Sequence, residues 1–153
     1  MSDAKIQLPL QAQAPRNLAE LIAGVAEPKL SLKPAPGKWS VTEIRAHMAE
    51  DELSSTWRYR QMLEHDGPEL LGFDQQMWAT LGDYASWNAH EALEMFRLMR
   101  EANLRMFARL TPEQWQRHAV HAERGKLTVE ELCRHMAAHD MNHIDQVRTI
   151  LGR

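Results

Sequence analysis

A single cysteine, Cys133, excludes an intramolecular disulfide, and the lack of a CxxC pair excludes the common thiolate zinc sites and the dithiol redox motif. A reducing cytoplasm is the expected compartment. No apolar run approaches the ~20 residues needed to cross a bilayer. The opening MSDAKIQLPLQAQAPRN lacks the basic start, continuous apolar core and small-residue cleavage site of a signal peptide. Neither export nor a membrane partner is expected. Net charge is −3 with both signs spread along the chain, so there is no basic stripe to grip phosphates, and nucleic acid is not an expected partner. Sustained alternation of β-branched residues, the usual mark of a sheet, is missing too.

What the chain does carry is helical periodicity, which predicts an all-α protein. Its 153 residues suit one globular domain with its own core. We expect residues 1–14 to be a flexible N-terminal segment and residues 15–153 to form a single four-helix-bundle domain. The first helix is expected to open at Pro15, as a first-turn residue, and to stop before Pro28. LSLKPAPGK follows as a loop. The second helix opens at WSVTE, where Ser40 and Glu43 form a capping box and Trp39 and Ile44 a hydrophobic staple, and runs to about His65. GPELLGFDQQMWATLGDY reads as a long irregular connection to a third helix, from about Ser86 to Leu110. TPEQW is one short helical turn capped by Thr111, and RHAVHAERGK is polar and extended. The fourth helix opens at LTVEEL, with Thr128 and Glu131 as box and Leu127 and Leu132 as staple. WSVTEIRAHMAED and LTVEELCRHMAAH agree in cap, staple, Val, Glu and HMA, which sets His47 opposite His135 and Asp51 opposite His139. Either an internal repeat or shared capping chemistry accounts for that agreement.

Three of the eight histidines lie in HMAAHDMNH, at His135, His139 and His143. The apolar stripe of the fourth helix is Val129, Cys133, Met136, Ile144 and Val147. With Val129 at zero, His143 falls at about −40°, His139 at about −80° and His135 at about −120°, so the first two border the core and the third turns toward solvent. Side chains four apart on a helix can converge on one ion, whereas His135 and His143 are separated by about 12 Å of rise. The second helix, with stripe Val41, Ile44, Met48, Tyr59, Met62 and Leu63, has His47 and Asp51 along one margin. Packed against the fourth helix, it would add His47 to His139 and His143, with Asp51 as a possible fourth ligand and a position open to substrate. Glu52 and Asp140 fall near the middle of their stripes. They are expected to line a polar cavity or orient the ligands, or else to pair with an arginine such as Arg45 or Arg58. Trp78 is expected to close one end of the cavity. His65, His90, His118 and His121 read as solvated or loop residues.

GKWSVTEIRAHMAEDE, a FDQQMW loop and LTVEELCRHMAAHDMNH together resemble the DinB and YfiT-like superfamily of four-helix-bundle metalloproteins. The likeness extends from about residue 15 to the end. It implies a divalent ion, nickel or zinc, held by His47, His139 and His143, and it sets His135 at an apolar family position. It also implies a small-molecule substrate, a homodimer and a metal-dependent activity, the leading expectation being a thiol S-transferase using a low-molecular-weight bacterial thiol. Two alternatives stand beside it. One is a metal-dependent hydrolase, since HDMNH is similar to HExxH with Asp140 in the base position. The other is a non-enzymatic bundle that binds a metal or ligand. The residues that perform catalysis are not assigned by the sequence.

Overall fold

The computed structural model describes the backbone of residues 4–153 and the side chains from residue 7 onward. Helix α1 (Ala4–Ile22) carries both Pro9 and Pro15 inside it. A short α2 (Glu27–Leu30) leads to α3 (Val41–Glu64), started by the reciprocal bonds of the Ser40–Glu43 box. The connection to the next long helix holds strand β1 (Glu69–Leu70), helix α4 (Gln75–Leu81) and a 3-10 turn over Tyr84–Ser86. Helix α5 (Ala89–Phe107) is followed by the single turn α6 (Pro112–Trp115), capped by Thr111 as expected. Strands β2 (His118–His121) and β3 (Gly125–Thr128) run directly into α7 (Val129–Leu151), where Thr128 and Glu131 form the second box. No helix among the described residues is long and apolar enough to cross a membrane.

One expectation is corrected here. The segment read as a flexible N-terminus, residues 1–14, is helical from Ala4, residues 1–3 lying outside the described part. Pro15 is therefore an interior residue and not a helix start. A proline there leaves the carbonyl four residues earlier without its helical donor. That carbonyl belongs to Gln11, and it accepts instead from Arg100 Nη1 at 3.0 Å. The all-α bundle reading holds, and to it the structure adds a small sheet of order β1-β2-β3, with β1 parallel and β3 antiparallel to β2. Gly125, at φ +69°, turns the β2-β3 hairpin back on itself.

The long helices α1, α3, α5 and α7 form the bundle. Glu52 meets Arg100 while Tyr59 meets Phe107, so α3 and α5 run the same way. Gln11 meets Cys133 while Arg153 meets Leu21, so α1 and α7 also run the same way. His47 meets His139 while Ser55 meets Met136, which sets α3 against α7 in opposite directions. The order is up-down-down-up. Parallel α3 and α5 require the chain to travel back along a helix ~36 Å long, which is why residues 65–88 make so long a connection. The expected stripe residues are buried, from Val41, Ile44 and Met48 on α3 to Val129, Cys133, Ile144 and Val147 on α7, except Leu63, which is half-buried.

At the centre, Arg100 of α5 is 1 % exposed. It bonds Glu52 of α3 at 2.8 and 3.0 Å, Asp140 of α7 at 2.6 and 3.2 Å, and the Gln11 carbonyl of α1. All four long helices thus meet on one guanidinium. Asn103 Nδ2 adds a bond of 2.7 Å to Glu52 Oε1. The partner of Glu52 and Asp140 is neither Arg45 nor Arg58. Arg45 is buried elsewhere, under the field of Glu27, and Arg58 lies on the wall of a surface cavity.

Arg100→Leu is expected to lower the unfolding free energy at pH 7.5 by about 3–5 kcal/mol, because two carboxylates stay buried without their partner. The loss should shrink as pH falls toward 5. Burial, working against the pull of Arg100, already pushes the Asp140 carboxyl up to about 6. A carboxyl that binds its proton more tightly folded than unfolded favours the fold at low pH, and removing Arg100 strengthens that effect. Urea denaturation at the two pH values measures both.

Candidate metal centre

His47 reaches the site from the first half of α3, and His139 and His143 reach it from the middle of α7, one turn apart. The Nε2 atoms of His47 and His139 are 3.0 Å apart, and those of His139 and His143 are 3.1 Å apart. One ligand atom from each of the three lies within 4.8 Å of the others. Imidazole nitrogens bonded to a common tetrahedral ion at 2.0–2.1 Å sit about 3.3 Å apart, so the spacing fits a shared cation.

Protonation supports the same reading. Burial pushes His47 down to about 3, with the charge of His143 adding to it. Burial, then the neighbouring histidines, pushes His139 down to about 2, and burial also lowers His143. Neutral imidazoles keep the lone pairs that a cation needs. His143 Nδ1 is 3.0 Å from Gln146 Oε1, and the Nδ1–H tautomer that donates to this oxygen directs Nε2 into the site. His139 Nδ1 is buried without a hydrogen-bond partner among the described residues.

Asp51 Oδ2 lies 3.3 Å from His139 Nε2. Its carboxyl is pushed up to about 6, chiefly by burial; Glu52 and Asp140 raise it further, and Arg58 and Arg124 oppose them. Asp51 is the one carboxylate beside the three neutral nitrogens, since Glu52 and Asp140 are paired with Arg100. A divalent cation fits that combination on charge as well as on geometry.

The other expected residues divide. Glu52 and Asp140 do not reach the triad: both are occupied by Arg100, so Asp140 is not placed as the base of an HExxH-like site. They follow Asp51 and His139 directly in the chain, and so fix the backbone that carries them. Trp78 does not line the cavity; it stacks on Phe73 at a ring separation of 4.3 Å, and Phe73 forms the wall. His135 stands apart from the triad, its ring 6.4 Å from that of His139. It lines a cavity of about 270 Å³ that opens beside His47, Asp51 and His139. His121, read as a loop residue, is a correction: it is 5 % exposed and lines the same cavity. Arg58, expected only as a partner for Glu52 or Asp140, also lines it, as does Arg124, which was not singled out from the sequence. The β2-β3 hairpin brings His121 and Arg124 there. His143 faces a second, shallower recess with Trp39 and Gln146, so the triad lies between two openings.

His47→Ala, His139→Ala and His143→Ala should each purify with substoichiometric metal, whereas His135→Ala should keep it. Gln146→Ala, which removes the acceptor behind His143, should weaken binding by about 10–100-fold. Elemental analysis and competition with a chelating dye check the set. Loss of metal in His135→Ala together with full retention in His143→Ala would overturn the arrangement. The depressed histidines also predict that metal uptake near pH 6, where an ordinary imidazole is mostly charged, displaces almost no imidazole protons, which calorimetry of Asp51→Asn in buffers of different ionisation enthalpy reads directly.

Residues 11–147 match the model of the DinB superfamily. A protein of Oceanobacillus iheyensis named "Putative metal-dependent hydrolase OB0413" is 25% identical over 135 residues, covering 88% of this chain and 78% of its own length. YfiT of Bacillus subtilis, which carries the same hydrolase description, is 20% identical over 142 residues, 92% of this chain and 80% of YfiT. The solved structure of YfiT, a four-helix bundle of unusual topology, superposes with a TM-score of 0.89 at 18% identity over 96% of this chain and 85% of that one. The mycothiol-dependent maleylpyruvate isomerase superposes with a TM-score of 0.74 at 9% identity, over 93% of this chain and 59% of the isomerase. With most of its length matched by the family model, and with the same bundle, this chain belongs to the DinB superfamily.

Proposed function

We propose that this protein is a divalent-metal-dependent enzyme that activates a small nucleophile, in the first reading a low-molecular-weight thiol, for attack on an electrophilic substrate. The observation that carries the proposal is the convergence of three neutral imidazole nitrogens beside an open cavity. Imidazole donors with one nearby carboxylate suit nickel or zinc better than magnesium or calcium. A cation held by His47, His139 and His143 supplies positive charge that favours the deprotonated form of a thiol or water.

The chain's own residues supply the rest. Asp51 Oδ2, at the edge of the triad, takes the proton released by the nucleophile; its raised carboxyl lies near the range useful for such a transfer. In the thiol reading a carbon–sulfur bond forms, the sulfur's proton passes to Asp51, and the leaving group departs with its bonding pair. Phe73 and Met136 exclude water from one side of the cavity. Cys133 is a poor rival nucleophile: burial pushes its thiol up to about 12, and it is packed behind Gln11.

The isomerase of the same fold supports the thiol reading, since its name specifies a thiol cofactor. The hydrolase description of the sequence relatives supports water as nucleophile, and Asp51 serves either as base.

Metal-loaded protein should accelerate thioether formation between monochlorobimane and at least one of bacillithiol, mycothiol, glutathione and coenzyme A. Asp51→Asn should lower kcat by about 10²–10⁴-fold while keeping metal. Thiol-independent cleavage of esters or amides by the same preparation would assign the water reading instead. No turnover of either kind with metal verified at one equivalent would contradict both.

A further inference from the structure

The cavity beside the triad has more cationic and donor groups than the metal site requires. Arg58 reaches it from α3, His135 from α7, and His121 and Arg124 from the β2-β3 hairpin. These groups feel one another: the charges of Arg58 and Arg124 both disfavour protonation of His121 and of His135, after burial itself. Arg58 feels the charges of Asp51 and Glu123, but its direct contacts are to a carbonyl and a ring. Its Nη2 donates to the Leu71 carbonyl at 2.7 Å, and its guanidinium lies 5.5 Å from the centre of the Phe73 ring. A planar donor fork oriented this way is prepared for a carboxylate or phosphate before any ligand arrives. Two carboxylates share the walls. Asp51 lies at the triad end, beside His139, while Glu123 packs over Gly72. The volume, about 270 Å³, is near the lower end of small-molecule sites.

We propose that this cavity is an anion-recognition subsite, in which Arg58 and Arg124 hold the carboxylate or phosphate group of a small molecule whose other end lies against His47 and His139. The placement of that other end rests on the metal-dependent reading above; anion binding by the arginines does not. His121 and His135 serve as further donors, set apart from His47 and His139, the two of the cavity's four lining histidines that belong to the metal centre. The substrate class that follows is an anionic metabolite or an anionic thiol, and not a neutral hydrophobic compound.

The test is titration calorimetry of the full chain, metal-loaded and metal-free, with succinate, inorganic phosphate and the neutral succinamide. Succinate or phosphate should bind both forms in preference to succinamide, and the preferred anion tells a carboxylate site from a phosphate site. Arg58→Gln and the exposed-turn variant Arg124→Gln should each weaken binding by about tenfold or more, with metal content unchanged. Arg97→Gln, on the outer face of α5, should bind as the parent does. Equal binding by Arg58→Gln and Arg124→Gln, equal affinity for succinamide, or no anion binding by the folded protein would overturn the subsite. Because the metal-free arm is included, anion binding without metal uptake would sink the metal-dependent reading and leave the subsite standing. Metal uptake without anion binding would do the reverse.

Discussion

The bundle is organised by one buried positive charge. Arg100 cannot be deprotonated, and it lies out of contact with solvent, so every shift of a helix that removes a partner leaves an uncompensated charge in a low-dielectric interior. Its partners come from α1, α3 and α7. Relative to a purely apolar core, such a cluster contributes little net stability, but it discriminates strongly between one register and the next. Pro15 belongs to this arrangement. By withholding its own donor it frees the Gln11 carbonyl for the guanidinium, and a proline that would otherwise weaken α1 helps to tie that helix to α5.

The register carries directly into the site. Glu52 follows Asp51 and Asp140 follows His139, so the two residues clamped by Arg100 are chain neighbours of two residues at the triad. Burial then acts on the site in two opposite directions. It removes charge from the imidazoles, which leaves their nitrogens free to donate electron pairs, and it raises Asp51 without separating it from the other carboxylates. Three neutral donors beside one carboxylate form a place suited to a divalent cation.

Much of this was legible from local chemistry. The two capping boxes set the starts of α3 and α7, and a starting point plus a period of 3.6 residues was enough to bring His47, His139 and His143 to one inward margin; His135, read as turning toward solvent, is half-buried in the cavity wall. What could not be read depended on distant segments. An arginine on a helix ordinarily reads as solvated, so Arg100 gave no sign that it was the partner of Glu52 and Asp140. Pro15 looked like a helix start because the donor that tolerates it comes from another helix. The sheet was missed because strands of two to four residues are too short to display alternation. His121 and Arg124 were missed with it, since only the hairpin fold brings them to the cavity. Trp78 and Phe73 are neighbours in one stack, and the sequence alone does not say which ring faces inward.

The central claim is that ligands from α3 and α7 meet on one ion. An anomalous-scattering map from crystals of the metal-loaded protein, measured across the absorption edge of the ion found by elemental analysis, addresses it without reference to any activity. The account predicts a single strong peak about 2.0–2.2 Å from the Nε2 atoms of His47, His139 and His143. A peak on His135 and His121 instead, or full metal content with no peak at the three nitrogens, would contradict it.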